Sequence, residues 1–521
     1  MELEYTDKDT IQRKYETVVN GYFSGISKDL GFRREQLRNL YYAIQDNEEA
    51  LADALHKDLN RSPDETEILE LNQVLTEASL AISKLSKWAE PEKQHLFFKD
   101  MRYAASSVKL EKNPYGAVLI MGPWNYPYKC SLIPIISAIA AGNTVLFKPS
   151  ELAVHSSALL SQLLENVLEE TIFQSVLGGI TETTQLLTYK WDKIMLTGST
   201  KVGKIVSRAA SKHLTPVTLE LGGKCPVIVT KNVNLSVVAK RVAWGKLVNA
   251  GQTCICPDYA IVEHEVVDEF MFRLEEAIKN LYPALEAGNE SKDYANIVSE
   301  RNFDRIQGLV KNTKGTVWQL GEPDREKLFY PPTLVRGVTV HDSLMTEELF
   351  APILPIMEVE NVLDTAPALI SQFHDGPLAA YLLTDDKHEQ NYLSTRIRAG
   401  AIAINDVLVQ GGSASIPFGG FGSSGTGHYH GKFGFDEFSY TRPVLKQTKF
   451  AELLLKARYP PYIPFHRSLI RFFSRPVGKT FPREGPVSGD FDGLTFTQLF
   501  YVYIIGIAIG TYQAIKYTFY G

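Results

Sequence analysis

Between residues 114 and about 210 the chain runs through one pattern four times: an apolar run, a turn of Gly, Pro or Ser, and a segment with helical spacing. Ala117-Val-Leu-Ile-Met121 leads into Gly122-Pro-Trp-Asn-Tyr-Pro127 and a helical stretch over 131–141. Thr144-Val-Leu-Phe147 is followed by Lys148-Pro-Ser-Glu151 and a helix over 155–168, then 173–177 by Gly178-Gly179 and a helix from Thr181. Lys193-Ile-Met-Leu196, with its Thr-Gly-Ser-Thr turn and a helix from Val202, makes the fourth. Short apolar runs alternating with helices of this length predict an α/β fold, a doubly wound, Rossmann-like parallel sheet.

At 521 residues the chain is too long for one core. The first domain is expected over 1–216, with helices over 10–60 and 63–90 and a β-arm near 101–113. A second α/β domain is expected over 217–425, with strands near 227–229, 259–262 and 402–404. A return segment over 426–450, a linker over 451–492 and an apolar tail helix over 493–516 complete the reading. Hydrophobic residues at 44% and charged residues at 22% fit a globular enzyme. A net charge of -6 gives no reason to expect a nucleic-acid partner. Four cysteines, at 130, 225, 254 and 256, form no C-x-x-C pair and no zinc spacing, which suits a reducing compartment and no bound metal. The acidic, polar N-terminus reads as neither a secretory signal nor a transit peptide. The uncharged stretch 130 to 147 is long enough for a span but is broken at Gly142-Asn143, so it reads as helix, turn and buried strand.

The chemistry centres on Asn249-Ala-Gly-Gln-Thr-Cys-Ile-Cys-Pro-Asp258, where Cys254 sits among small, turn-prone residues. Thiolate is a strong nucleophile, whereas a buried thiol is also a common small apolar filler, and residue type alone fits both. Glu220, between Leu219 and Leu221 before Gly222-Gly223, fits either a base made stronger by burial or a salt-bridged structural carboxylate. Asn125, in a Pro-flanked turn at a strand end, either donates to an oxyanion or simply forms the turn. The turn Gly198, Ser199, Thr200, Lys201, Val202, Gly203 follows a strand and opens a helix, which seats a phosphate or is no more than an N-cap. Lys148 and Glu151, past another strand end, could grip ribose hydroxyls. Several such loops on one sheet are where a dinucleotide binds. The Gly-rich run 417–427 is a crossing loop or a surface linker.

In this order the motifs resemble the aldehyde dehydrogenase superfamily over about residues 10 to 460. They are Pro123-Trp-Asn, Lys148-Pro-Ser-Glu, Thr197-Gly-Ser-Thr-x-x-Gly, Leu219-Glu-Leu-Gly-Gly-Lys, Gly251-Gln-Thr-Cys, Glu347-Glu-Leu-Phe-x-Pro and Pro417-Phe-Gly-Gly. Cys-Ile-Cys-Pro-Asp-Tyr259, Ile404-Asn-Asp-Val407, Arg458-Tyr-Pro-Pro461 and the tail look most like class 3, in particular a fungal-type, membrane-anchored fatty aldehyde group. The resemblance implies Cys254 as nucleophile, Glu220 as general base, and Asn125 with the backbone N–H of Cys254 as oxyanion site. It implies NAD, with NADP possible, as cofactor: 198–203 at the pyrophosphate, Lys148 and Glu151 at the adenosine ribose, Trp124, Glu348 and Phe350 among the remaining contacts. It implies an aldehyde substrate and a homodimer joined through the arm and the last strand. Glu151 leans toward NAD, since a 2′-phosphate would meet a like charge. Cys256 stands where related chains more often carry a non-thiol, and the resemblance gives it no role.

Residues 494 to 512 are apolar or aromatic apart from Thr495, Thr497, Gln498 and Thr511. About twenty such residues cross a bilayer core. Arg471, Arg475, Lys479 and Arg483 lie upstream, which expects the catalytic body on the cytosolic face of an organelle membrane such as endoplasmic reticulum or peroxisome. A helix lying in the membrane surface fits the same composition. The expected activity is oxidation of medium- to long-chain aldehydes, against two alternatives: other small or aromatic aldehydes, or a silent membrane scaffold on the same fold.

Overall fold

The computed structural model describes residues 3–94, 106–373, 375–449, 452 and 458–468. The chain divides into two compact units, one over 1–89 and 112–440 and the other over 90–111 and 441–521.

The first unit contains two sheets. The first has six strands in the order Gly425–Thr426, Val217–Leu221, Lys193–Gly198, Ala117–Met121, Thr144–Lys148, Phe173–Ser175. Every pairing but the first is parallel. Ala117–Met121 and Thr144–Lys148 are buried at every position. That is why they read as unbroken apolar runs: helices cover both faces of a parallel sheet and leave no solvated side. From Ala117–Met121 the chain builds outward through 144 and 173, then crosses back to 193 and 217 on the other flank. This reversal opens a crevice at the carboxyl ends of the two central strands.

The uncharged stretch 130 to 147 is the helix Lys129–Ala141, a left-handed Gly142 at φ +96°, and the strand Thr144–Lys148. The expected helices over 10–60 resolve into Lys8–Ser24, Leu30–Gln45 and Glu48–Leu59. The second sheet has seven strands: Thr316–Gln319, Thr333–Arg336, Ile353–Val359, Pro257–Glu263, Cys225–Val229, Ala379–Leu383, Ala401–Ile404. Only its first pair is antiparallel.

The strand pairing moves one expected boundary and resolves one alternative. Val217–Leu221, expected to begin the second domain, pairs in parallel with Lys193–Gly198 as part of the first sheet. The crossing between sheets therefore comes at Gly222-Gly223, not at 216. Of the two readings of the Gly-rich run, the crossing loop fits and the surface linker does not: Gly425 pairs antiparallel with Glu220 and Thr426 with Leu219. A Cβ on Gly425 would lie 2.0 Å from the Leu219 carbonyl oxygen, so only glycine lets the loop approach this closely.

In the second unit, Glu92–Gln94 pairs antiparallel with Ser106–Pro114, and Ser439–Gln447 is the third strand of the same sheet. Arg442 and Glu111 pair across it at 2.8 Å. The expected arm near 101–113 is thus a strand from 106, with 101–105 outside the described residues. The expected tail over 493–516 and most of the linker over 451–492 also lie outside them. Among the described residues no helix is long and apolar enough to cross a membrane.

Candidate active site

Four neighbouring strands of the first sheet end along one edge, and each hands over to one part of the site. In sheet order, Leu221 is preceded by Glu220, Gly198 is followed by Ser199, Met121 leads to Trp124 and Asn125, and Lys148 leads to Glu151. The sheet thereby collects residues scattered over a hundred positions of sequence.

The loop carrying Cys254 arrives from the second sheet's side, after the helix Leu235–Leu247. It turns through three consecutive left-handed residues, Asn249 (φ +50°), Ala250 (φ +51°) and Gly251 (φ +72°). Non-glycine residues in this region are strained by about 1–3 kcal/mol each and persist only when their surroundings hold them. Here hydrogen bonds hold them. Asn249 Nδ2 donates to the carbonyls of Asn125 at 3.0 Å and Gln252 at 3.1 Å, and the Asn249 N–H donates to Glu65 at 2.9 Å. Gln252 Nε2 donates to the carbonyls of Asn249 and Asn296, and its Oε1 accepts from Val298 N–H at 3.0 Å. A Cβ at Gly251 would lie 2.2 Å from the Ala351 carbonyl oxygen.

This frame places Asn125 beside the thiol's own loop. Its Nδ2 donates to the Gln252 carbonyl at 2.9 Å, two residues before Cys254, leaving the second amide N–H for another acceptor. Tyr126 and Thr253 share a hydroxyl hydrogen bond of 2.8 Å, fastening the turn to the residue before the thiol. Cys254 is half-buried. Burial, reinforced by Cys130 and Glu348, pushes its thiol well above the ordinary range, while the Lys129 ammonium pulls the other way.

Glu220 is 3% exposed, and among the described residues neither carboxylate oxygen has a hydrogen-bond partner. Burial raises its pKa well above a normal carboxylate, and the nearby Glu437 adds to the shift. The salt-bridged reading of Glu220 therefore fails: among the described residues no cation pairs with it. Glu348 lies against the same turn, since a Cβ on Gly222 would sit 2.2 Å from its Oε2. Burial, then repulsion from Asp258, pushes Glu348 up to about 8. Phe350 adopts φ +49° and packs edge-on to Trp124 with ring centroids 5.5 Å apart.

Ser199 caps the helix Thr200–Ser211, its hydroxyl accepting from Val202 N–H at 3.4 Å. Gly203 lets that helix lie close on the sheet, because a Cβ there would meet Leu221 at 2.9 Å. Lys201 is exposed, and Val202 and Ile205 stand uncovered beside the cap at 38% and 52% exposure. Thr200 Oγ1 donates to the Ser423 carbonyl at 3.1 Å, tying the Gly-rich loop to the helix start. Lys148, buried, pairs with Glu151 at 2.7 Å. A capped helix N-terminus for phosphate, an uncovered apolar strip for a flat ring and a Lys–Glu pair for hydroxyls fit a dinucleotide.

The chain matches the family described as "Aldehyde dehydrogenase family" over residues 22–444. The chain belongs to the aldehyde dehydrogenase family. It is 38% identical over 456 residues to a Rattus norvegicus protein named "Aldehyde dehydrogenase, dimeric NADP-preferring", covering 87% of this chain and 97% of that one. It is 37% identical to the "Beta-apo-4'-carotenal oxygenase" of Neurospora crassa, covering 93% and 90%. Among solved structures, the substrate-bound state of AldH from Staphylococcus aureus superposes with a TM-score of 0.83 at 34% identity, covering 89% and 99%. This aldehyde dehydrogenase is an oxidoreductase that uses NAD or NADP.

Two parts of its site escape sequence reasoning. One is the ion trio of Arg61, Glu65 and Glu70 behind Asn125. The other is Gln252, whose amide, two residues from the thiol, bonds the carbonyls of Asn249 and Asn296 and the N–H of Val298; its place in the Gly251-Gln-Thr-Cys motif was the available signal. Cys256 gains a plain explanation. It is buried, its sulfur lies 3.7 Å from the Lys246 carbonyl and 3.5 Å from that of Pro257, and burial pushes its thiol up to about 11. It packs as a small apolar residue.

Proposed function

We propose that this aldehyde dehydrogenase oxidises medium- to long-chain aliphatic aldehydes to carboxylic acids through a Cys254 thioester that Glu220 hydrolyses. The observation that carries the mechanism is the unpartnered, buried carboxyl of Glu220 near the end of its strand, close enough for its charge to act on the Cys254 thiol. Cys254 attacks the aldehyde carbon, giving a thiohemiacetal whose oxygen takes the free N–H of Asn125 and the backbone N–H of Cys254. Holding that charge on preorganised donors is worth about 10²–10³ in rate per donor. When bound, the nicotinamide supplies the hydride acceptor; Trp124, Glu348 and Phe350 hold its end of the cleft. Glu220, more basic than an exposed carboxylate, takes a proton from water as that water adds to the thioester. Collapse releases the acid and returns the thiol.

Ser199 with residues 198–203 holds the pyrophosphate, and Lys148 with Glu151 the adenosine ribose. Glu151 favours NAD, because a 2′-phosphate there meets a like charge. The long apolar substrate is supported by the apolar sequence over 494–512, which anchors the enzyme to the bilayer from which such aldehydes come, and by a relative named for a carotenal. The same reading makes it a homodimer, in keeping with a relative named dimeric, with its catalytic body on the cytosolic face of an organelle membrane.

The test is NADH production from hexanal to hexadecanal by wild type, by a chain lacking residues 490–521, and by Glu220→Gln. Glu220→Gln gives a single burst of NADH and then a turnover about 10²–10⁴-fold below wild type. Wild-type rates rise with chain length, and the truncated chain loses this advantage on membrane-borne aldehydes. Sustained turnover in Glu220→Gln overturns the base assignment. A short-chain preference overturns the substrate.

A further inference from the structure

Behind Asn125 lies a trio of ions that the mechanism does not use, two of them, Arg61 and Glu70, fully buried and the third, Glu65, largely so. Arg61 is fully buried, and its guanidinium Nε lies 3.0 Å from Glu65, while one terminal nitrogen lies 2.8 Å from Glu70. The same terminal nitrogen donates to the Asn125 carbonyl at 3.3 Å, and the guanidinium stacks on the Tyr126 ring at 4.4 Å. Each carboxylate then reaches a different part of the site. Glu65 accepts the N–H of Asn249 at 2.9 Å, the first strained residue of the thiol loop. Glu70 accepts the N–H groups of Tyr128 and Lys129, each at 2.9 Å, where the helix after the Asn125 turn begins. One cation therefore joins the two segments that carry Asn125 and Cys254.

Stability alone does not explain this arrangement. Buried ion pairs are often no better for stability than well-packed apolar residues, whereas directional hydrogen bonds fix geometry. Every backbone atom the trio touches lies within five residues of Asn125 or Cys254. An oxyanion amide is useful only when it is held to a fraction of an ångström, and a shift of about 1 Å can lower a rate 10²-fold.

We infer that Arg61 is a positioning residue, which through Glu65 and Glu70 sets the Asn125 amide against Cys254. The inference rests on the oxyanion role given to Asn125 under Proposed function. The experiment is a double-mutant cycle on the full-length enzyme with Arg61→Lys and Asn125→Ala. It reads kcat and kcat/KM for dodecanal, KM for NAD, and the unfolding midpoint. Asn125→Ala alone lowers kcat/KM about 10²–10³-fold, which tests the oxyanion reading by itself. Arg61→Lys keeps the charge but loses the fork, and lowers kcat about 10–100-fold while KM for NAD holds. In the double variant Arg61→Lys adds nothing to Asn125→Ala, because its effect passes through that amide.

Losses that multiply in the double variant, or a wild-type kcat in Arg61→Lys, overturn the inference while leaving the oxyanion reading intact. A wild-type rate in Asn125→Ala overturns both. If Arg61→Lys does not fold, Glu65→Gln takes its place in the same cycle with the same outcomes, since it weakens both the ion pair with Arg61 and the bond to Asn249 and so loosens the same link.

Discussion

Glu70 and Glu220 are both inaccessible carboxylates in the first unit, at 0% and 3% exposure, yet their surroundings are opposite. Glu70 faces Arg61 at 2.8 Å and accepts two backbone N–H groups at 2.9 Å. Glu220 has no partner for either oxygen among the described residues. Burial raises the pKa of both, but at Glu70 the guanidinium and the two amides pull it back. A buried carboxyl without a partner is unfavourable by several kcal/mol, and among the described residues Glu220 makes no hydrogen bond that would offset it. The saturated carboxylate holds the frame. The bare one fits the base role proposed for it, in line with the general expectation where a local rule is broken without a structural gain.

The largest effect sets the two against each other on stability. Glu70→Gln leaves Arg61 with the partly exposed Glu65 as its one counter-charge, and a broken buried pair costs about 3–5 kcal/mol in chemical denaturation. Glu220→Gln removes a carboxyl that has no bond to lose, so its unfolding midpoint stays level or rises. Equal destabilisation by the two substitutions would dissolve the contrast and return Glu220 to the structural role its sequence also allowed.

A second effect follows the pH. Glu348, the other carboxyl at this turn, is pushed up to about 8 by burial and then by Asp258. In the unfolded chain a Glu releases its proton near about 4.3, while in the folded enzyme this one holds it far longer. Between those values the folded state binds more protons, so folding loses stability as pH rises, by up to about 1.4 kcal/mol per pH unit. Wild type and Glu348→Gln should unfold at similar denaturant concentrations at pH 4, with the variant pulling ahead toward pH 8. Parallel curves over that range would mean that Glu348 ionises normally and shares nothing with Glu220.

How much of this was readable in sequence depended on distance along the chain. Strand-end turns are local, so the edge bearing Asn125, Lys148, Ser199 and Glu220 could be read from apolar runs and the Gly, Pro or Ser that follow them. Burial of Glu220 was readable from Leu219 and Leu221 on either side. The trio was not. Arg61 meets Glu65 and Glu70 close in sequence, but Arg61 reaches Asn125 and Glu65 reaches Asn249 far along the chain, and charges at a helix–helix junction read as solvated until the fold brings their partners. Val217–Leu221 misled for a related reason. Gly222-Gly223 looks like an interior turn, and only the parallel pairing with Lys193–Gly198 shows that the first sheet extends to it.

The smallest effect carries the contrast to the cofactor side, where the pair Lys148–Glu151 is neither bare nor saturated. Lys148 is buried, while the Glu151 carboxylate, 2.7 Å away, is about a third exposed. Partial exposure screens its charge, so it is worth less than an interior group and more than a free surface pair. Glu151→Gln removes the charge that would repel a 2′-phosphate and leaves the Lys148 ammonium to attract it. The ratio of kcat/KM for NADP over NAD should rise about tenfold, or about 1.4 kcal/mol, and the gain should shrink with added salt. Glu151→Asp keeps the charge and should keep the wild-type ratio. An unchanged ratio in Glu151→Gln would place the ribose away from this pair. The buried ammonium of Lys148 would then be doing what Arg61 does behind Asn125, holding a turn and not a ligand.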